Sequence, residues 1–316
     1  MQSPAISHRR LLDTAMTDIG LVGFGRWGKL IFRDLRSLGV NVHVAVPGSE
    51  SQHAAREAGA VSVCDSAAKL PDCTGYVVAP PTVLHAACID ALAPRNRPIF
   101  CEKPVTNDAQ AAQRLADTLH ERLFVMDKWR YHPGILKLAE LAKSGALGQI
   151  EAVRTYRLGW GNPHKDVDSL WILMPHDLSI ALEILGTLPK AHSAIAQIPG
   201  LGGEDLIARL QNDGEPLTVT MEISSLHPAP KRSAVVIGSK AVAQLASSYD
   251  DRILLAPRDH GQKPQQIEVG TKMPLLAELE AFVAHLEGGA APKSSAAEGA
   301  LIVRRIAELR ALAGLP

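Results

Sequence analysis

The chain has 316 residues, 46% hydrophobic and 21% charged, enough apolar material for about two domains. Thirty-three Lys and Arg balance thirty-three Asp and Glu with no sustained basic run, which argues against nucleic acid or an anionic membrane as partner. No apolar stretch reaches the ~20 residues of a membrane span, and Cys64, Cys73, Cys88 and Cys101 lack metal-type spacing, as expected of a reduced cytoplasmic protein without a bound metal.

Residues 1–16 contain an arginine pair but no apolar core for a signal peptide, and Met16 offers a second start; a loose tail is expected there. Ile19 to Val22 reads as a strand, followed by a glycine-punctuated turn and a helix whose apolar positions are Leu30, Ile31, Leu35 and Leu38, stopped by Gly39. "VNVHVAV" is a second strand, "SESQHAAREAG" a short helix, "GYVVAP" a strand, "TVLHAACIDALA" a helix and "RPIFCEKP" a strand. A helix with Asn107 or Asp108 near its N-cap and the strand "RLFVMDKW" complete the series. This alternation predicts a parallel, doubly wound sheet over residues 17–125.

Beyond about residue 150 the pattern changes. "QIEAVRTYRLGW", "AHSAIAQI", "EDLIARLQN", "PLTVTMEISS", "KRSAVVIGS" and "KAVAQLAS" are strand-like runs with partial alternation, suited to an antiparallel sheet covered on one face. One long helix is expected from Pro175 to Leu185, and two helices close the chain. The fold class is therefore α/β: a Rossmann domain, then an α/β domain over 126–316 built on a large, open, mostly antiparallel sheet, with the closing helices packing back on the first domain.

Gly23-Phe24-Gly25-Arg26-Trp27-Gly28 has the dinucleotide spacing and lies between a predicted strand and a predicted helix. The first glycine suits a tight turn, the second a close pyrophosphate, the third helix–strand packing. The helix N-terminus offers free N–H groups and partial positive charge to the phosphates. The acid that usually accepts the adenosine ribose hydroxyls is missing: Pro47 stands at the end of the second strand. Glu50 can serve in its place, or Ser49, Ser51, His53 and Arg56 can hold a 2′-phosphate. The cofactor expected is NAD or NADP, leaning to NADP.

"CEKPVT" places Glu102 and Lys103 at the carboxyl end of an apolar strand, where α/β proteins bind ligands. Hydride departure from an alcohol carbon needs the hydroxyl proton removed or its oxygen stabilised. A partly desolvated lysine with a lowered pKa can do either. The alternative is a surface lysine paired with Glu102, worth little.

The glycine turn, "APPTVLH" after a later strand and the Glu-Lys-Pro triplet after the next together resemble the Gfo/Idh/MocA oxidoreductases, from about Asp18 to the C-terminus. The resemblance implies oxidation or reduction of a sugar, polyol or related compound with NAD or NADP. It also implies a homodimer or homotetramer formed through the open sheet. By position, Glu102 would touch the nicotinamide-side ribose, Lys103 would lie between nicotinamide and substrate, and Pro104 would fix the turn. Pro81, Thr82 and His85 match a stretch beside the cofactor, with Pro80 where threonine is usual. His176 falls on the family histidine at the start of the long helix, with Asp177 beside it as a substrate-side residue. The aspartate expected four residues earlier is Ile172, a departure that leaves three readings: Asp166 or Asp168 substitutes, Lys103 and His176 suffice, or the protein binds without turnover, as a sensor or regulatory partner. Further crevice candidates are Lys128, Trp129, Arg130, Tyr131 and His132, with Trp160, Asn162 and His164. The "GRWGK" turn and "PHDLSI" helix look most like members acting on nucleotide-linked sugars.

Overall fold

A computed structural model describes residues 17–162, 166–198, 200–259 and 261–316. The expected tail 1–16 and the candidate His164 lie outside the described residues. The chain opens as β1 (Asp18–Val22), α1 (Arg26–Ser37), β2 (Asn41–Ala45), α2 (Ser49–Glu57), β3 (Ser62–Cys64), β4 (Gly75–Val78), α3 (His85–Leu92), β5 (Ile99–Glu102), α4 (Ala109–Leu119) and β6 (Leu123–Met126). All six strands are parallel, in the order β3-β2-β1-β4-β5-β6. The order reverses at β1, which opens the crevice in which such sheets bind ligands. Buried, β-branched runs such as "GLV" and "YVV" suit strands covered on both faces.

Then follow α5 (Pro133–Lys143), β7 (Ile150–Trp160), α6 (Ser169–Leu185), β8 (Ala191–Ala196), β9 (Asp205–Leu210), β10 (Thr218–Ser224), β11 (Leu226–Gly238), β12 (Ala241–Leu245), β13 (Arg252–Pro257) and β14 (Gln265–Glu268). These eight strands form a second sheet, β14-β13-β12-β11-β7-β10-β9-β8, antiparallel except for the β7–β10 pair. Its inward residues Val153, Val219, Met221, Ile223 and Val236 are fully buried. Finally α7 (Pro274–Leu286) and α8 (Ala296–Leu312) return to the first sheet. Phe282 of α7 stacks on Phe100 of β5 with ring centroids 4.9 Å apart, and Val125 of β6 donates its N–H to Ser294 ahead of α8.

The long helix differs from expectation. It begins at Ser169, not Pro175, because Asp168 caps it through Leu170 N and Trp171 N. Pro175 is therefore internal. It offers no N–H to the Trp171 carbonyl one turn back, and its ring crowds that carbonyl. Nearly every residue of α6 is buried rather than one stripe, since the helix lies between the second sheet, α5 and α8. The elements β3, α5, β13 and β14 have no counterpart among the expected ones. For α5 the signals were Pro133 at the first turn and the spacing of Ile135, Leu138 and Ala139, directly after the polar "DKWRYH".

Candidate active site

The glycine turn is tight at two of its three glycines and open at the other. Gly23 has φ +96°, and a side chain there would strike the Ala79 carbonyl. A Cβ on Gly28 would collide with the carbonyl of Gly23, so the third glycine brings α1 against the turn. At Gly25 a Cβ would meet nothing within 4 Å. That position is bare for what approaches, not for what the protein itself packs there. α1 starts at Arg26 with no side-chain cap and no acid in its first turn, so its N–H groups stay available. Phe24 turns its ring into the core, edge-on to Phe32 at 5.4 Å, and has only backbone to offer. Trp27 carries the Lys128 ammonium over its ring at 4.1 Å.

The loops after β4 and β5 are tied together by His85. Its Nδ1 faces the Pro104 carbonyl at 2.8 Å and its Nε2 the Pro80 carbonyl at 3.0 Å. Expected beside the cofactor, His85 is instead a buried strut between the segments that present Pro81 and Thr82 on one side and Glu102 and Lys103 on the other. Burial holds its pKa below the ordinary histidine value. The Lys103–Pro104 peptide is cis.

Lys103 is not a surface residue. It is 8% exposed, and its Nζ donates to the backbone carbonyl of Ile172 at 2.8 Å. The apolar residue at the family aspartate position thus serves the lysine through its main chain, beside the turn of α6 that Pro175 disturbs. Glu102 faces elsewhere, its Oε2 accepting from the Lys103 backbone N–H at 3.0 Å. Burial brings the Lys103 amine down to about 8, against the opposing pull of Glu102 and with help from the charges of Lys128 and Arg157.

His176, in the middle of α6, is 8% exposed, and its Nδ1 has no hydrogen-bond partner among the described residues. Burial first, then the positive charges of Lys103, Arg157, Lys128 and Arg232, hold it well below the ordinary histidine value. It is a neutral imidazole at physiological pH. Its ring stands edge-on to Trp129 at 6.5 Å.

Other expected site residues are committed elsewhere. Asp177 is 1% exposed and accepts from Arg157 Nε at 2.6 Å, a buried ion pair and not a free substrate contact. Arg130 is bound by Glu183 and Glu298, each at 3.0 Å, and by the Lys293 carbonyl, so it fastens α6 to the start of α8. The Tyr131 hydroxyl accepts from Lys293 N in the same junction. Asp168, a candidate replacement for the missing aspartate, is consumed as the α6 cap and as partner of Arg310 at 2.6 Å. Trp160 remains 74% exposed at the end of β7, and Asn162 donates to the Val167 carbonyl.

Three charged residues near the crevice escaped the sequence reading. Arg157 and Arg232 sit inside strands, and Glu278 lies on α7 between Leu275 and Phe282, on the buried face. Both Glu278 oxygens are buried without partners, and burial together with the charge of Glu102 pushes its carboxyl well above the usual range. Asp127 is likewise pushed up to about 7 by burial. A charge in phase with an inward-facing strand or helix stripe was the available signal.

A parallel sheet ordered 3-2-1-4-5-6 with a bare glycine turn at a free helix N-terminus is the architecture of a Rossmann domain. Residues 17–126 match the model of the Gfo/Idh/MocA oxidoreductases, described as an oxidoreductase family with an NAD-binding Rossmann fold. The whole chain is similar to inositol 2-dehydrogenase of Rhizobium meliloti, 26% identical across 92% of this chain and 97% of that enzyme. Among solved structures it shares its fold with an oxidoreductase from Agrobacterium radiobacter in complex with NAD+, L-tartaric acid and magnesium (TM-score 0.83, 15% identity, 94% of this chain and 96% of that one). It likewise shares it with the UDP-N-acetylglucosamine 3-dehydrogenase of Acidithiobacillus ferrooxidans (TM-score 0.79, 18% identity, 94% and 97%).

Proposed function

We propose that the protein is an NAD(P)-dependent dehydrogenase or reductase acting on a CH–OH or carbonyl carbon of a sugar, polyol or sugar-like compound, with Lys103 as the proton-handling group. The observation that carries this reading is Lys103: buried, hydrogen-bonded to Ile172, and brought to about 8. The relatives' names, an inositol dehydrogenase and a sugar-nucleotide dehydrogenase, supply the substrate class.

The residues fit a dinucleotide. Gly25 leaves room where a Cβ would intrude, and α1 presents unshielded N–H groups for a pyrophosphate. When bound, the dinucleotide supplies the hydride acceptor or donor. The protein's part is proton control and orientation. The neutral Lys103 amine donates one hydrogen to the Ile172 carbonyl and keeps its lone pair for the substrate hydroxyl proton, returning it when the reaction runs in reverse. Neutral His176 offers a hydrogen bond to the substrate oxygen without charge, since no carboxylate partners it. The α6 helix bearing both His176 and the Ile172 carbonyl is held by Arg157–Asp177 and Arg130–Glu183. Lys103 and His176 are both buried, which strengthens polar contacts made to them.

NADP is accepted at least as well as NAD, because Pro47 replaces the ribose-binding acid and Glu50 is exposed at the start of α2. Self-association runs through the uncovered face of the second sheet, where Ile195 is 64% exposed. The test is to follow the absorbance of reduced nicotinamide while purified protein is offered NAD or NADP with a panel of sugars and polyols. Turnover supports the dehydrogenase. Tight dinucleotide binding with no turnover on any of them favours a sensor instead, and a tenfold preference for NAD, about 1.4 kcal/mol, contradicts the cofactor assignment.

A further inference from the structure

Arg157 of β7 and Arg232 of β11 are directly opposed in antiparallel register, so their side chains share one face of the sheet, the face that meets α6. Like charges so placed destabilise a sheet unless something answers them. Arg157 is answered: Asp177 lies 2.6 Å from its Nε, and the Trp129 ring lies under its guanidinium at 4.7 Å. Arg232 is not. Among the described residues no carboxylate is within ion-pair distance of it, and its hydrogen bonds run from Nη1 alone, to the Leu158 and Lys231 carbonyls. The Nε and Nη2 groups are left without an acceptor.

Its setting is not that of a stray surface arginine. Arg232 is half-buried, and its guanidinium lies over Gly159, where a Cβ would come within 3.3 Å of Nη2. A Cβ there would press the guanidinium aside by a few tenths of an ångström. Burial first, then the charge of Arg157, work against the Arg232 cation, and Asp177 and Tyr249 offset them only in part. The imbalance extends to the candidate site, since Lys103, Arg157, Lys128 and Arg232 all bear on His176 with positive charge. Two arginines share one aspartate, leaving one positive charge to be matched from outside.

We infer that the substrate is anionic: a sugar or polyol bearing a carboxylate, held by the free edge of Arg232 while its reacting hydroxyl faces Lys103 and His176. This rests on the dehydrogenase reading and narrows it. A carboxylate fits because the unused Nε and Nη2 form a fork that binds two oxygens at once, and because one unmatched cation calls for a monoanion.

The test pairs sugar acids with their neutral parents: D-glucuronate with D-glucose, D-galacturonate with D-galactose, with D-glucose 6-phosphate as the dianionic arm. Thermal unfolding of the full chain is followed in the presence of saturating NADPH or NADH, and kcat/KM is measured with the oxidised cofactor. The acids are expected to raise Tm beyond the cofactor alone and to be preferred over their parents by on the order of tenfold or more. Arg232→Gln should abolish both effects while the Tm gain from the reduced cofactor persists, which shows a folded protein. Arg232→Lys, with the charge but not the fork, should retain part of the preference. Neutral parents serving as well as the acids overturns the inference and leaves the dehydrogenase standing. So does a response to the phosphate alone, silence toward every acid with cofactor binding intact, or an Arg232→Gln variant with its preference unchanged. A wild-type protein that binds neither dinucleotide overturns both readings.

Discussion

A lysine side chain in water keeps its proton to about pH 10.4; in this protein burial brings Lys103 to about 8. If the neutral amine is the proton acceptor, alcohol oxidation is slow below that pH and rises to a plateau above it. The reverse reaction, which needs the ammonium as donor, falls over the same range. Removing the amine in Lys103→Met should cost on the order of a hundredfold or more in kcat and erase the limb near pH 8, while dinucleotide affinity is largely kept. His176, held well below the ordinary histidine value, contributes no limb near pH 8, while the buried Asp127 carboxyl, pushed up to about 7, titrates just below it. His176→Asn should cost less than the lysine change, because the imidazole has no carboxylate to charge or orient it. Single-turnover hydride transfer across pH reads all of this. Wild-type rates in Lys103→Met would remove the lysine from the chemistry.

Among the elements, the glycine turn separates two roles that the sequence alone runs together. Gly25 faces open space and Gly28 faces the Gly23 carbonyl. Gly25→Val should therefore abolish dinucleotide binding in calorimetric titration with Tm nearly unchanged. Gly28→Val should lower Tm through the collision itself. Equal affinity in Gly25→Val would show that the phosphates lie elsewhere. The turn and its flanking strand and helix were legible because three glycines at fixed spacing, an apolar run before and a helical period after agree with one another. The start of α6 was not. Pro175 imitates a first-turn proline, and the real start at Asp168 is an N-cap preceded by a loop rich in other polar residues. Nor were the partners of Arg130 and Tyr131 legible. A polar run after a strand reads as crevice-lining, while its partners Glu183, Lys293 and Glu298 lie far away in sequence. The lysine was readable from its position at a strand end. Its bond to the carbonyl of Ile172 was not, because a main-chain acceptor leaves no mark in residue type.

At the scale of the whole molecule, the last forty residues complete the first domain. On one face of the parallel sheet, Leu275, Leu279 and Phe282 of α7 join the apolar cluster of Leu21, Ile31, Phe100 and Phe124. On the other, Ile302, Val303 and Ile306 of α8 join the cluster of Leu115, Val125 and Ile135, which continues into the second sheet through α6. Glu278, on the same turn of α7, comes near Glu102 and Lys128, and burial with the charge of Glu102 pushes its carboxyl well above the usual range. The chain should thus unfold as one unit, although it contains two sheets. Phe282→Ala removes a fully buried ring stacked on Phe100, and such a deletion costs about 3–5 kcal/mol. The loss is expected to lower a single calorimetric transition in which dinucleotide binding and the second sheet disappear together. A chain ended after β14 should bind no dinucleotide despite its intact glycine turn, since the apolar surfaces of β5 and β6 that α7 and α8 cover would face water. Two separate transitions in Phe282→Ala, with only the lower one moved, would mean instead that each sheet folds alone and that α7 serves the first sheet without coupling it to the second.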